Sequence, residues 1–298
     1  METRLSYAPE EIICPVDRSE LSDLALKYAY VGARLFNASL TILHAMHFDY
    51  PRYLSRELTA KVLKELENAK AAARDELEDH VGRVLGPMDS KIPVRYQASD
   101  SEPVAAIMQA LAENHADLVV MGTHGYSGFK QWMLGSVTES VLHRARVPVF
   151  TVRQKVNDFI DATQAEARPN IRHILCPCNM TVAAGQALQV AAALAGRLDA
   201  RLTAMWSMES ATAADENTFS AWVQKTIGAS PNTDSLVQGG SAASQAIALA
   251  GSMACDLIVI GAHHKPFDQG TVVGRTTELV LRHASVPVLA VPFYSEQQ

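Results

Sequence analysis

Residues 118–150 read LVVMGTHGYSGFKQWMLGSVTESVLHRARVPVF, and residues 257–289 read LIVIGAHHKPFDQGTVVGRTTELVLRHASVPVL. Each stretch opens on an apolar strand ending in glycine, passes through a loop, enters a helix and leaves it at Val-Pro-Val. Superposed, the two keep the first glycine (Gly122 and Gly261) and a later one (Gly135 and Gly274). They part at two places, where Gly125 becomes His264 and Ser136 becomes Arg275. A strand, a loop and a helix repeated in one order predict two homologous domains, one with an intact ligand loop and one with an altered copy.

The repeat reaches further back. EIICPVDRSELSDLALKYAYVGARLFNASLTILHAM, from residue 11, aligns without a gap to HILCPCNMTVAAGQALQVAAALAGRLDARLTAMWSM, from residue 173. Between these blocks and the glycine loops the second half is 23 residues shorter, because the offset falls from 162 to 139. The difference falls between about Tyr50 and Lys91, where the first half carries the charged stretch SRELTAKVLKELENAKAAARDELEDHVGRVL, 55–85. Leu58, Val62, Leu66, Leu77, Val81 and Leu85 recur there at helical spacing, predicting a solvated helix packed on the sheet, with a lid or a partner surface as alternatives. Residues 154–170 are polar, lack an apolar period and carry Pro169, which predicts a linker between domains at 1–153 and 171–298.

Apolar strands alternate with amphipathic helices in each half. Strands are predicted near 12–16, 39–48, 92–98, 117–122 and 147–152, and again near 174–178, 200–207, 234–238, 256–261 and 286–291. Leu21, Leu24, Tyr28, Val31 and Leu35 give the first helix one packing face. Continuously apolar strands such as those beginning at Leu118 and Leu257 belong to parallel sheets covered on both sides. The fold class is α/β, as two tandem doubly wound five-stranded domains.

Composition narrows the function. The chain has 298 residues, 48% of them hydrophobic, enough for two cores. It contains no apolar run of membrane-spanning length. Its start lacks a basic segment followed by an apolar one, so a cytoplasmic location is expected. A net charge of -6 without a Lys/Arg cluster argues against nucleic acid. Cys14, Cys176, Cys178 and Cys255, all placed on predicted buried strands, fit reduced core thiols better than a disulfide framework.

In open parallel sheets, ligands bind beyond the carboxyl ends of the strands where strand order reverses. The residues there are Asp17 after the first strand, Ala45 and Met46 after the second, and Gly122-Thr123-His124-Gly125 after the fourth. Gly135-Ser136 opens the last helix, and Ser136 and Glu139 have capping-box spacing. Glycines admit a ligand to backbone N–H groups, and a helix start adds donors and positive dipole. A carboxylate at Asp17 suits ribose hydroxyls, so these residues describe a mononucleotide site. Singly, each glycine is equally a turn, Ser136 a cap, and Asp17 with Ser19 a helix start.

At these residues the chain resembles the universal stress protein family in its tandem form. The family's Gly-x2-Gly-x9-Gly-Ser/Thr pattern is met by Gly122, Gly125, Gly135 and Ser136, its first-strand aspartate pattern by Pro15-Val16-Asp17-Arg18-Ser19, and its terminal Val-Pro-Val by residues 147–149. The resemblance implies an adenine nucleotide alpha hydrolase-like sheet of order 3-2-1-4-5 and pairing of domains through their last strands, within the chain or in a homodimer. It also implies binding of ATP, or of AMP or ADP, with Mg²⁺ accompanying ATP. By matching position, Pro15, Asp17 and Ser19 belong to the ligand site, Ala45 and Met121 border the base, and His124 and Val137 line the phosphate and ribose region. In the second half, Asn179 replaces Asp17, His264 replaces Gly125, and Arg275 replaces Ser136 and removes the expected cap.

Other readings are weaker. Walker A, nucleophile-elbow and ATP-pyrophosphatase loops are absent from the sequence, which favours binding, with weak ATP hydrolysis at most. Lys130 and His124 are the only groups placed to assist. A metal cluster of His263, His264, Asp268, Cys176 and Cys178 is the second alternative, against which core thiols are preferred. A purely structural partner-binding module is the third.

Overall fold

The computed structural model describes residues 7–46, 56–123, 134–153, 170–209, 212–267 and 270–294. The first half runs β1 (Glu11–Pro15), α1 (Glu20–Phe36), β2 (Ser39–Ala45), α2 (Arg56–Leu85), β3 (Val94–Ser99), α3 (Pro103–Glu113), β4 (Leu118–Gly122), α4 (Ser136–Arg144) and β5 (Val149–Val152). The second runs β6 (His173–Cys178), α5 (Val182–Leu198), β7 (Arg201–Met208), α6 (Ala213–Ile227), β8 (Thr233–Gly239), α7 (Ala242–Ser252), β9 (Leu257–Phe267), β10 (Gly270–Val273), α8 (Arg275–His283) and β11 (Val288–Tyr294).

Local chemistry sets the repeated unit. Ser19 and Thr181 cap α1 and α5 by accepting from Ser22 N and Ala184 N. Asn37 and Asp199 end the same helices in the left-handed region at φ 55 and φ 53, a conformation their short polar side chains tolerate. Each helix then lays an alanine-rich face on its sheet: Ala25, Ala29 and Ala33 in α1, and Ala184, Ala187 and Ala191 in α5. In α2, Ala73, Leu77, Val81 and Leu85 enter the core, while Leu63 remains 55% exposed. The carboxyl part of this helix therefore packs on the sheet as the spacing predicts.

All strands join one sheet of order β3-β2-β1-β4-β5-β11-β9-β6-β7-β8, with β10 attached to β9. Within each half this is the order 3-2-1-4-5. Apart from β10, which pairs antiparallel with β9, strands inside a half are parallel, Ile12 lying beside Leu40 on one side and Leu118 on the other. The halves meet where β5 and β11 pair antiparallel, Val288 opposite Thr151 and Ala290 opposite Val149. One core layer, containing α1 and α5, and another, containing α3, α4, α7 and α8, each continue across this seam.

The seam carries specific bonds besides the ladder. Thr151 Oγ1 donates to the Val288 carbonyl at 3.2 Å. From the end of β5, Arg153 donates to the Leu281 carbonyl at 2.9 Å and to that of Arg282, satisfying the last turn of α8 from the other half. In the reverse direction Arg197 of α5 donates to the Leu35 carbonyl in the last turn of α1 and covers the Phe36 ring at 5.1 Å. Arg282 also bonds Glu139 of α4 at 3.3 Å.

Two expectations are corrected. Cys255 is buried, but in the turn before β9 rather than on a strand. The second glycine stretch does not leave the sheet at Gly261: β9 runs on to Phe267 and folds back as β10, with Val273 opposite His264. Alternation of polar and apolar residues is lost in HHKPF, so periodicity gave no strand signal there. The partner strand β11, extending to Tyr294, supplies the neighbour that holds it.

Arg153→Ala removes the two carbonyl contacts and is expected to lower unfolding free energy by about 1–3 kcal/mol, read from urea titration. Burial, then the nearby Asp256, pushes the Cys255 thiol from 9.0 up to about 12. A folded group that titrates higher than its unfolded counterpart stabilises fully below the unfolded value and loses that contribution as pH rises toward the folded one. The urea midpoint should therefore decline from about pH 9 upward, and decline less in Cys255→Ala.

Candidate functional site

β1 separates β2 on one side from β4 on the other, and the chain leaves the sheet in opposite directions on either side of it. This reversal of strand order opens a crevice at the carboxyl end of β1. A cavity of about 330 Å³ occupies it, lined by Pro15, Val16, Asp17, Ser22, Leu43, Ala45, Pro103, Ile107, Met121, Gly122, Gly135, Ser136, Val137 and Thr138. Its size falls in the range of small-molecule sites.

The structure thus brings together eight of the predicted site residues: Pro15, Asp17, Ala45, Met121, Gly122, Gly135, Ser136 and Val137. Ser19 stands apart, because its hydroxyl donates to Asp17 Oδ1 at 2.6 Å and accepts from Ser22 N at 3.2 Å to cap α1. His124, Gly125 and Lys130, with the rest of residues 124–133, lie outside the described residues. Val16, Ser22, Leu43, Pro103, Ile107 and Thr138 were missed. The rule that ligands meet strand ends reaches Pro103, which starts the helix after β3, once it is applied to the third strand as well as the others.

Three bonds build the side of the cavity formed by β4 and α4. Thr123 N donates to the Val152 carbonyl at 3.0 Å, Gly135 N to the Thr123 carbonyl at 2.7 Å, and Thr138 Oγ1 to the Gly122 carbonyl at 2.8 Å. Together they hold the start of α4 against the end of β4. Thr277 Oγ1 repeats the last bond on Gly261 at 2.9 Å, so this threonine was legible in the repeat.

The expected cap is corrected here. Gly135, at φ -63 and ψ 145, is the N-cap of α4, no side chain caps it, and Ser136 is the first helical residue. No capping box forms, since Ser136 lies one residue inside the helix. Gly274 is likewise the N-cap of α8, so Arg275 removes no cap; it stands exposed at the first helical position. Glycine at the N-cap leaves the first-turn N–H groups without a side-chain acceptor, at the positive end of the helix dipole and on the cavity wall.

The turn at Asp17 explains itself by comparison with its copy. Asp17 Oδ1 accepts from Ser19 N at 3.1 Å, with Arg18 at φ 64. Asn179 Oδ1 accepts from Thr181 N at 3.4 Å and Thr181 Oγ1 at 2.7 Å, with Met180 at φ 55. An amide oxygen therefore suffices for this turn, and the negative charge of Asp17 is not a requirement of the fold.

In the second half, the backbone of residues 263 and 264 is paired in register with β11, and that of 264–267 with β10. A Cβ at Gly261 would lie 3.0 Å from the Ala183 carbonyl oxygen, so this glycine admits the start of α5. Among the described residues no group of three or more His, Cys, Asp or Glu side chains is placed to hold a metal; Asp268 lies outside them, and the side chains of residues 263 and 264 are not described.

A sequence model of the universal stress protein family matches residues 9–153 and again 170–292. The chain belongs to this family. Tandem repetition of the domain is also evident from relatives that each match about half the chain. A universal stress protein of Methanocaldococcus jannaschii is 24% identical over 162 residues, 51% of this chain and 99% of its own length. One of Bacillus subtilis is 28% identical over 159 residues, 48% of this chain and 98% of its own. The crystal structure of a universal stress protein from Archaeoglobus fulgidus covers 96% of this chain and 99% of its own, with a TM-score of 0.67 at 21% identity, a likeness of fold. Among the described residues no helix is long and apolar enough to cross a membrane.

Gly261→Ala would drive its Cβ into the Ala183 backbone, which cannot rotate away. Thermal or urea denaturation should show a loss of about 1–3 kcal/mol.

Proposed function

We propose that this universal stress protein binds ATP, or a related adenine nucleotide, in its first domain, and acts as a stress-response or regulatory binding protein rather than an efficient enzyme. The observation that carries this reading is the convergence of Asp17, Ala45, Met121 and the uncapped start of α4 on one cavity at the strand-order reversal. Adenine sits near Ala45 and Met121, ribose hydroxyls donate to Asp17, and phosphates meet Gly122, Gly135, Ser136 and the loop containing His124 and Gly125. Among the described residues Asp17 is the one carboxylate on the cavity wall. Mg²⁺ is accordingly held chiefly by the phosphates and water rather than by a protein cage. Among the described residues of that wall no second carboxylate stands beside Asp17 to hold a metal, which supports binding over efficient turnover.

The second domain is proposed to carry a degenerate site. Paired strands commit the backbone of residues 263–267 to the sheet, where a phosphate-binding loop would turn its N–H groups to the ligand. Asn179 in place of Asp17 removes the ribose carboxylate while preserving the turn. The linker at 154–170 then joins one competent domain to one that serves structure or another ligand, and the nucleotide state is read through a protein partner or a change of association.

Calorimetry should give one ATP bound per chain, and two equivalent sites would overturn the division of labour. Asp17→Asn installs the residue of the second half, so its melting temperature should stay near that of the parent. Its ATP affinity should fall about tenfold or more, the scale of a hydrogen bond to a charged acceptor. Unchanged affinity would displace Asp17 from the site.

A further inference from the structure

The second domain differs from the first at two positions at and just beyond the end of β6. Cys176 matches Cys14, but Cys178 stands where the first half has Val16, and Met180 where it has Arg18; Met208 matches Met46. Cys176 and Cys178 lie on one face of β6, with their Sγ atoms 3.7 Å apart. Both thiols belong to a core layer against which Met180 and Met208 pack partly buried. The thiols stand where β6 parts from β9 after Leu175; Met180 follows two residues beyond Cys178, and Met208 two residues beyond Trp206, the β7 neighbour of Cys178. The guanidinium that the first half carries at the position of Met180 is gone.

From this grouping we infer that Cys176 and Cys178 form a two-coordinate site for a soft monovalent d¹⁰ cation of the Cu(I) class, with Met180 and Met208 forming its entry.

Strand geometry favours a cation over a disulfide. Two residues of extended chain rise roughly 6.6 Å, and their Cβ atoms keep about that separation, beyond the roughly 3.5–4.5 Å that a disulfide demands. Closing the pair to a bond would break the register of Cys176 with Ala204 and of Cys178 with Trp206. Two metal–sulfur bonds of about 2.3 Å in line need sulfurs only roughly 4.6 Å apart, within reach of small side-chain rotations from the observed contact. Soft thiolates and thioethers select Cu(I) over harder ions, and a two-sulfur site does not complete the four-ligand shell that Zn²⁺ takes.

The step is ligand exchange without electron transfer. Two S–H bonds break, two S–Cu bonds form, and two protons pass to the buffer, leaving one net negative charge on the bis-thiolate. The positive end of α5, which starts at Val182, lies next along the chain to offset it. Cys178 is 7% exposed and Cys176 is fully buried, so the ion enters past Cys178.

The full chain would be titrated with Cu(I) against the chromogenic chelator bicinchoninate, and thiolate-to-copper absorption followed in the ultraviolet. One Cu(I) per chain is expected, lost at least about 100-fold in Cys178→Val and weakened about tenfold in Met180→Arg, both residues taken from the first half. Cys255→Ala should bind as the parent does. Circular dichroism establishes that each variant is folded; should Cys178→Val not be, Met180→Arg carries the test. Parental affinity in either folded variant, absence of the charge-transfer band, or stoichiometric retention of Zn²⁺ in place of Cu(I) would overturn the assignment.

Discussion

Antiparallel pairing of β5 with β11 is the constraint on which the molecule's arrangement depends. Each half alone would present its fifth strand as an open edge, with a row of unpaired N–H and C=O groups. Joined at that edge, the two parallel sheets become one, and both core layers run through the junction. Because the pairing is antiparallel, the carboxyl strand ends of the two halves face opposite directions. The last turn of α8 therefore reaches the side of the first domain on which its cavity opens. Arg153 and Arg282 fasten it there, the latter on Glu139 in the first turn of α4.

That geometry gives the duplication a physical meaning. Both copies keep what the shared fold needs: a capped turn after the first strand, a glycine-started last helix, and a threonine hydroxyl tying that helix to the fourth strand. The copies separate where a ligand would touch. In the first, helix N–H groups and a carboxylate surround a cavity. In the second, the corresponding backbone is consumed by strand pairing, and the rim of β6 has gained sulfur and lost a cation. A duplicated binding fold can lose one chemistry and acquire another without altering its core, since the altered residues lie at strand ends rather than within the layers.

Much of the fold was legible because its signals are local. Apolar strands, alanine-rich helix faces and repeated blocks at fixed offsets each report on a few neighbouring residues, and the structure returns them with shifts of a few residues. Of the candidate site, the glycines, Asp17, Ala45 and Met121 could be read from their position after strands. Pro103 was within reach of the same rule applied to the third strand, whereas Ile107 was not, because it reaches the cavity from within α3, and what α3 faces is decided by packing. Capping failed for a subtler reason: Ser136 has the right chemistry for an N-cap, but the bond from Gly135 N to the Thr123 carbonyl fixes the helix start one residue earlier.

The sequence by itself determined that there are two domains, that each is doubly wound, and that only one keeps the full glycine pattern, since repetition, periodicity and residue identity are properties of the chain. Tertiary structure alone decided that Gly261 serves the approach of α5, that HHKPF is strand rather than loop, and that Met208 packs on the same core layer as Cys176 and Cys178. Each of these rests on a neighbour distant in sequence: Ala183 across the sheet, β11 beside β9, and Met208 at the end of the adjoining strand. Contacts of that kind follow from how elements pack, which no local window of residues encodes.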